Sequence, residues 1–430
     1  MGITEDIPSI QVGDADKCEN LFSYRAWPIF MISFCRLFFI SIFERAFQNY
    51  IYFDQGVSES MLGIISSAPL IAYIFGPILG HLITKKIGIR NSIILSAICT
   101  PLLVGAQMLY FDPFYLISIR VLSGLLLGVF WPNCYNLLSR WQSVSSDDKS
   151  NKNFRHFNFS WNLGFISGLL VGYIWAFSLD EYVAMTFAFV TAFSLPLFSL
   201  FLKKESELNH INKNFINKNN ELKLKSSTKP QNQQNSNNKM IAYPILFSWV
   251  ALLIYAASKS VFRFSYPVFL KSSGSPSYFT YLIQLSMQVG QLIGLTWSNS
   301  MKFSNKKKSV FGSIIMLLLS SIVIIIVQDL IYISIISATI GLFVGLIQGT
   351  SLKIMIDYGA AENTKKYSTF NEILKGIGFG LTPIAAGFIA EINIYGVFIF
   401  LIVLGSTALL ILAYLSRRKK MKVHLEIRTL

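Results

Sequence analysis

The second half of the chain repeats the first. Arg45, Gly56 and Gly76 fall on Arg263, Gly274 and Gly294 at one constant offset. Asp112, Tyr115, Gly124 and Gly128 fall on Asp329, Tyr332, Gly341 and Gly345 at an offset shorter by a single position. The paired stretches are long apolar segments in the same serial order. A duplicated block of apolar helices builds two similar bundles with a central site between them.

Composition says where such a bundle can live. Hydrophobic residues make up 53% of the 430 residues and charged residues 14%, with a mean hydropathy of +0.51. That is too apolar for a fold with a polar surface. Apolar runs of about 20 residues cross a bilayer as helices. Twelve occur, at roughly 26–48, 60–80, 91–110, 113–137, 158–178, 182–202, 242–265, 278–299, 309–327, 330–352, 372–391 and 394–416. The expected fold class is an all-α integral membrane protein with twelve transmembrane helices in two pseudo-symmetric six-helix bundles.

Charge sets the orientation. Most of the 37 Lys and Arg residues lie in the two tails, the middle segment and the loops around Lys85–Arg90, Arg140–Arg155, Lys302–Lys308 and Lys353–Lys366. The opposite loops carry Lys271 and the acids Asp54, Glu59, Asp112, Asp180, Glu181, Asp329 and Glu391. The positive-inside rule puts both termini in the cytoplasm. The net charge of +15 follows from this tally. Spread along one membrane face, it points to anionic inner-leaflet lipid, not nucleic acid. The segment 1–25 lacks a signal-peptide pattern, which makes the plasma membrane the default location.

Residues 203–240 break the apolar pattern with a run of Asn, Gln and Lys that cannot bury enough surface to fold alone. The expected organisation is a tail over 1–25, a bundle over 26–202, a flexible cytoplasmic linker over 203–240, a second bundle over 241–416 and a basic tail over 417–430. None of Cys18, Cys35, Cys99 and Cys134 falls in an external loop, so no disulfide is expected. No cofactor or metal set is legible.

Local motifs now point to a family. The run Gly80-His-Leu-Ile-Thr-Lys85-Lys86-Ile-Gly88-Ile-Arg90 follows the second span, and Arg120-x-x-x-Gly124-x-x-x-Gly128 lies in the fourth. Together with twelve spans, a six-plus-six repeat and a long linker after the sixth, they resemble the major facilitator superfamily over almost the whole chain. The first motif resembles that family's gating loop, with Thr84 and Lys85 where an acid is usual. Glycines four apart let helix backbones approach closely. Gly124 and Gly128, Gly164, Gly168 and Gly172, and Gly341 and Gly345 are therefore expected at packing faces. The Gly-Pro step usual in the fifth helix of antiporters is absent.

The resemblance implies a secondary carrier that moves a small solute by alternating access, as a monomer, with helices 1, 4, 7 and 10 lining the cavity. Charges inside a bilayer cost about 2.5–3.5 kcal/mol each on insertion scales, so they need a partner or a purpose. Arg36, Arg45, Arg120, Lys259 and Arg263 all fall on the first, fourth and seventh spans, against one carboxylate of similar depth, Glu44. A net positive lining fits an organic anion, a carboxylate or phosphate-bearing metabolite. Arg45 and Arg263 resemble the paired arginines of organophosphate antiporters, though they lie nearer the outer end, from which they can also snorkel to water. Glu44 is the one candidate for proton coupling, and a structural ion pair is its other reading. The Glu44-Arg45 step resembles that of proton-coupled peptide transporters.

Uncharged polar rows add candidates. Gln284, Gln288 and Gln291 share one face of the eighth span, Asn133 and Asn136 one of the fourth, and Asn158 and Asn162, beside Trp161, one of the fifth. Gln348 is in the tenth. Facing a cavity, they suit a sugar or drug-like compound and proton-coupled efflux; facing a neighbour, they hold helices together. A membrane enzyme is disfavoured, since His81, His156, His210 and His424 all lie in loops or tails. No phosphate-binding loop for an ATP-driven pump is present. A non-transporting receptor on the same scaffold is the remaining alternative.

Overall fold

The computed structural model describes residues 27–142, 147–202, 245–301, 303–327, 329–361 and 364–417. The linker expected over 203–240 and the tail expected over 1–25 lie outside them. The described chain is helical: α1 (Trp27–Asn49, with a π-helical turn Tyr50–Asp54), α2 (Glu59–Ile87), α3 (Ile89–Leu109), α4 (Pro113–Gln142), α5 (Asp147–Ser178) and α6 (Glu181–Ala192, resuming as Ser194–Ser199) come first. Then follow α7 (Ile245–Ser272), α8 (Phe279–Ser300), α9 (Phe303–Ile326), α10 (Leu330–Ala361), α11 (Thr364–Ile392) and α12 (Ile394–Arg417). Among the described residues there is no strand.

Eleven of these helices are long and apolar enough to cross a membrane. The one below that threshold is α8, whose 22 residues include Gln284, Gln288 and Gln291. It still packs as the twelfth helix, because each glutamine is buried against a polar partner. Several spans run beyond their expected ends, since helices continue past the hydrocarbon into the polar margin. The sixth is interrupted at Phe193.

Within the first half α1 packs on α5 and α6, and α2 on α4; within the second, α7 packs on α11, α10 and α12, and α8 on α10. The halves meet along two seams, α2 with α11 and α5 with α8. Glycines make the packing within each half tight. A side chain at Gly124 would collide with the Pro69 backbone, and one at Gly341 with the Met287 backbone. Pro69 and Met287 are themselves related by the repeat offset, so the repeat conserves the contact as well as the glycine. Gly128 lies against Gly76, Gly345 against Gln291, Gly164 against Phe34 and Gly168 against Phe38. Gly172 belongs to the seam between halves, where it faces Tyr281.

The turns repeat too. Gly56 and Gly274 both adopt a left-handed backbone, at φ +67° and +66°, which only glycine takes without strain. Asp112 accepts from the Tyr115 amide at 3.0 Å and Asp329 from the Tyr332 amide at 3.4 Å, capping α4 and α10 alike.

The loop motif needs one correction. Gly80 is inside α2, packed on the backbone of Gly128 and Val129, because the helix continues to Ile87. Lys85 and Lys86 occupy its last turn, and Gly88, at φ +86°, ends it. Arg90 then donates to the carbonyls of Leu202 at 2.6 Å and Leu200 at 3.1 Å, tying α3 to the end of the first half.

Replacing Gly124 or Gly341 with Leu is expected to cost about 1–3 kcal/mol by overpacking. Gly312→Leu, at a position with nothing within 4 Å, is the control and leaves stability unchanged. Thermal unfolding in detergent measures both.

Candidate functional site

Arg45 and Arg263, the repeat-related pair, meet between the two halves. Arg45 is fully buried on α1. Its Nε donates to Gln284 Oε1 at 2.7 Å, Nη2 contacts the same oxygen, and both Nη atoms lie 3.4 Å from the Arg263 carbonyl. It therefore does not snorkel toward water: an internal amide from the other half has replaced the solvent.

One residue earlier, Glu44 meets Arg120. Arg120 Nη2 is 2.7 Å from Glu44 Oε2. Its Nε donates to the Ile65 carbonyl at 2.8 Å and its Nη1 to Gln107 Oε1 at 3.1 Å, while the guanidinium lies 4.8 Å from the centre of the Phe47 ring. One arginine thus joins α4 to α1, α2 and α3. The repeat does not duplicate this pair, since the equivalent positions hold Phe262 and Ser337.

Arg263 stands apart. Its Nη2 is 3.7 Å from Glu44 Oε2, too long for a hydrogen bond, and its Nε is buried without a partner. Among the described residues its side chain makes no hydrogen bond, although 28% of it is exposed.

One turn along α7, Lys259 Nζ donates to Gln291 Oε1 at 2.6 Å and to Gln288 Oε1 at 3.3 Å. Gln291 passes its amide to Gln348 Oε1 at 2.6 Å, and Gln288 passes its own to Asn162 Oδ1 at 3.1 Å. The glutamine row is therefore a set of acceptors and relays linking α7, α8, α10 and α5. Arg36 donates to Thr100 Oγ1 at 3.0 Å and covers the Phe130 ring at 4.6 Å.

The structure brings together Glu44, Arg45, Arg120, Lys259, Arg263, Gln284, Gln288, Gln291, Asn162 and Gln348. Other expected members lie elsewhere. Asn133 donates to the Val129 carbonyl at 2.7 Å and accepts from Thr84 at 3.0 Å, a contact between α4 and α2. Asn158 offers its carbonyl to Asn162 at 2.8 Å. Asn136 and Trp161 are half-buried, with no contact to the charged centre recorded.

Sequence reasoning missed a second carboxylate. Glu181, read as an outer-loop acid, is only 5% exposed. It accepts from Asn49 at 2.8 Å, Ser277 at 2.6 Å and Tyr281 at 2.8 Å. The signal was Asp180, whose side chain caps α6 through the Val183 amide at 2.7 Å and so makes Glu181 a helix residue. Glu372 was also underrated: it accepts from Tyr73 across the halves at 2.8 Å and pairs with Lys375 at 2.7 Å.

Arg120→Gln leaves Glu44 without its close partner, and breaking a buried pair costs about 3–5 kcal/mol. The double change Glu44→Gln/Arg120→Gln removes both charges and is expected to recover part of that loss. Thermal unfolding of the single and double variants reads the difference.

Comparison with known proteins follows the same lines. No curated protein matches the sequence. By fold the chain is similar to the nucleoside transporter NupG, at 14% identity and a TM-score of 0.67 over 92% of this chain and 99% of that one. It is similar to a bacterial homologue of the human lysosomal transporter Spinster, at 11% identity and a TM-score of 0.64 over 92% and 97%. The human organic anion transporter MFSD10 matches at 12% identity and a TM-score of 0.58 over 92% and 99%. At these identities the likeness shows the fold alone. A sequence profile described as Major Facilitator Superfamily matches residues 29–296, more than half of the chain. With its apolar helices, its two packed halves and that match, this chain belongs to the Major Facilitator Superfamily of multi-pass membrane transporters.

Proposed function

We propose that the protein carries a small organic acid, with a carboxylate or phosphate group, by rocking its two halves about the centre of the molecule. The observation that carries this reading is Arg263. Arg45 and Lys259 already have carbonyl or amide acceptors, and Arg120 has its carboxylate. Arg263 is partly exposed and has no hydrogen-bond acceptor among the described residues. A guanidinium in that condition suits a carboxylate or phosphate oxygen pair, which satisfies two donors at once.

Gln284, Gln288 and Gln291 are engaged with Arg45, Lys259, Asn162 and Gln348. The alternative of a sugar or drug-like solute therefore has fewer free amides to draw on. Glu44, held by Arg120, serves in this reading as a fixed charge instead of a mobile proton acceptor. In this reading the excess of Lys and Arg on one side puts both termini in the cytoplasm and the carrier in the plasma membrane, with 203–240 as the connection between the halves.

A solute that binds only the folded carrier raises its apparent stability. A thermal-shift screen of the purified protein is expected to show stabilisation by carboxylated or phosphorylated compounds. Arg263→Gln is expected to abolish that shift while leaving the unliganded transition in place. Stabilisation by neutral or cationic compounds alone overturns the reading.

A further inference from the structure

Glu44 offers a solute more than its charge. Both cations approach one of its oxygens: Arg120 Nη2 at 2.7 Å and Arg263 Nη2 at 3.7 Å are measured to Oε2. The other oxygen, Oε1, accepts no hydrogen bond among the described residues. Nor does it belong with the atoms that are buried without a partner. It is therefore accessible, on a side chain that is 19% exposed beside an Arg263 side chain that is 28% exposed. A negatively charged acceptor with a free oxygen thus stands next to a positively charged donor with free N–H groups.

Two such groups side by side read two features of one molecule. We propose that the central site takes an acid that also carries an ammonium group, with the acid on Arg263 and the ammonium on Glu44 Oε1. The inference rests on the organic-acid reading above and narrows it. An ammonium is favoured over a hydroxyl because a hydrogen bond between ions is roughly twice as strong as a neutral one. A second acidic group in the same place would face the Glu44 charge and be rejected, which is how a like charge excludes a wrong ligand. The neighbouring guanidinium groups direct no hydrogen bond at Oε1. Arg120 is fixed by Ile65 and Gln107, and Arg45 by Gln284.

Calorimetric titration of the purified full-length carrier with matched pairs tests this: propionate against alanine, succinate against aspartate, and ethyl phosphate against phosphoethanolamine. In at least one pair the amino member is expected to bind at least about tenfold more tightly, the size of one charge-assisted hydrogen bond. Glu44→Gln is expected to erase that preference while leaving the affinity of the amine-free acid equal or higher. Glu44→Asp, which keeps the charge but draws both oxygens back toward α1, is expected to reduce the preference. Comparison of the pairs on the unaltered protein needs no variant to fold. If acids bind with no preference for the amino member, or if the preference survives in Glu44→Gln, the inference falls and the organic-acid reading stands. If no acid of either kind binds, both fall together.

Discussion

A guanidinium facing a carboxylate inside the hydrocarbon layer holds the centre of this structure. Neither Arg120 nor Glu44 is tolerable there alone, because the membrane offers no water to share the charge. Their 2.7 Å contact makes each the other's solvent. The remaining donors of Arg120 reach Ile65 on α2 and Gln107 on α3, so the need to satisfy one guanidinium brings four helices to a common point. Arg263 then arrives from the other half to a carboxylate that is already committed, which leaves it under-partnered.

The scaffold is symmetric and its contents are not. Glycine contacts, helix caps and left-handed turns recur at matching positions in both halves, since they set how closely and at what angle helices cross. The polar residues diverge. Where the first half has Glu44 and Arg120, the second has Phe262 and Ser337; where the second has Lys259, the first has Ser41. Duplication supplied a frame with two equivalent faces, and later substitution gave those faces different chemistry. A site built from both can therefore recognise a molecule whose two ends differ.

Much of the fold was legible because it rests on local signals. Apolar runs of membrane length and glycines four apart each declare a helix or its packing face. The site was legible as a list of embedded charges, but not as a geometry. Nothing in the sequence distinguishes Arg45, saturated by an amide from the far half of the chain, from Arg263, which lacks any such partner. The glutamine row shows the same limit: the spacing placed three amides on one face, and only the packing of α8 against α7, α10 and α5 turned that face inward. Glu181 was misread because acid next to acid at a helix boundary looks like a loop, when one of the two is the cap and the other points into the protein.

Hydrogen bonds between the halves are unevenly placed. Arg45 to Gln284, Asn49 to Thr280 and the two bonds that Glu181 accepts from Ser277 and Tyr281 run in sequence along α1, α6 and α8, toward the end of the bundle opposite the start of α1. Tyr73 to Glu372 is the side-chain bond recorded between α2 and α11. Separating the halves at the first location means breaking several polar bonds together, whereas along α2 and α11 the contact is mostly close packing, with Gly63 against the Pro383 and Gly387 backbone and Gly380 against Ile71. One end of the bundle is thus latched by polar bonds that must part as a set, while its flank is held mostly by shape.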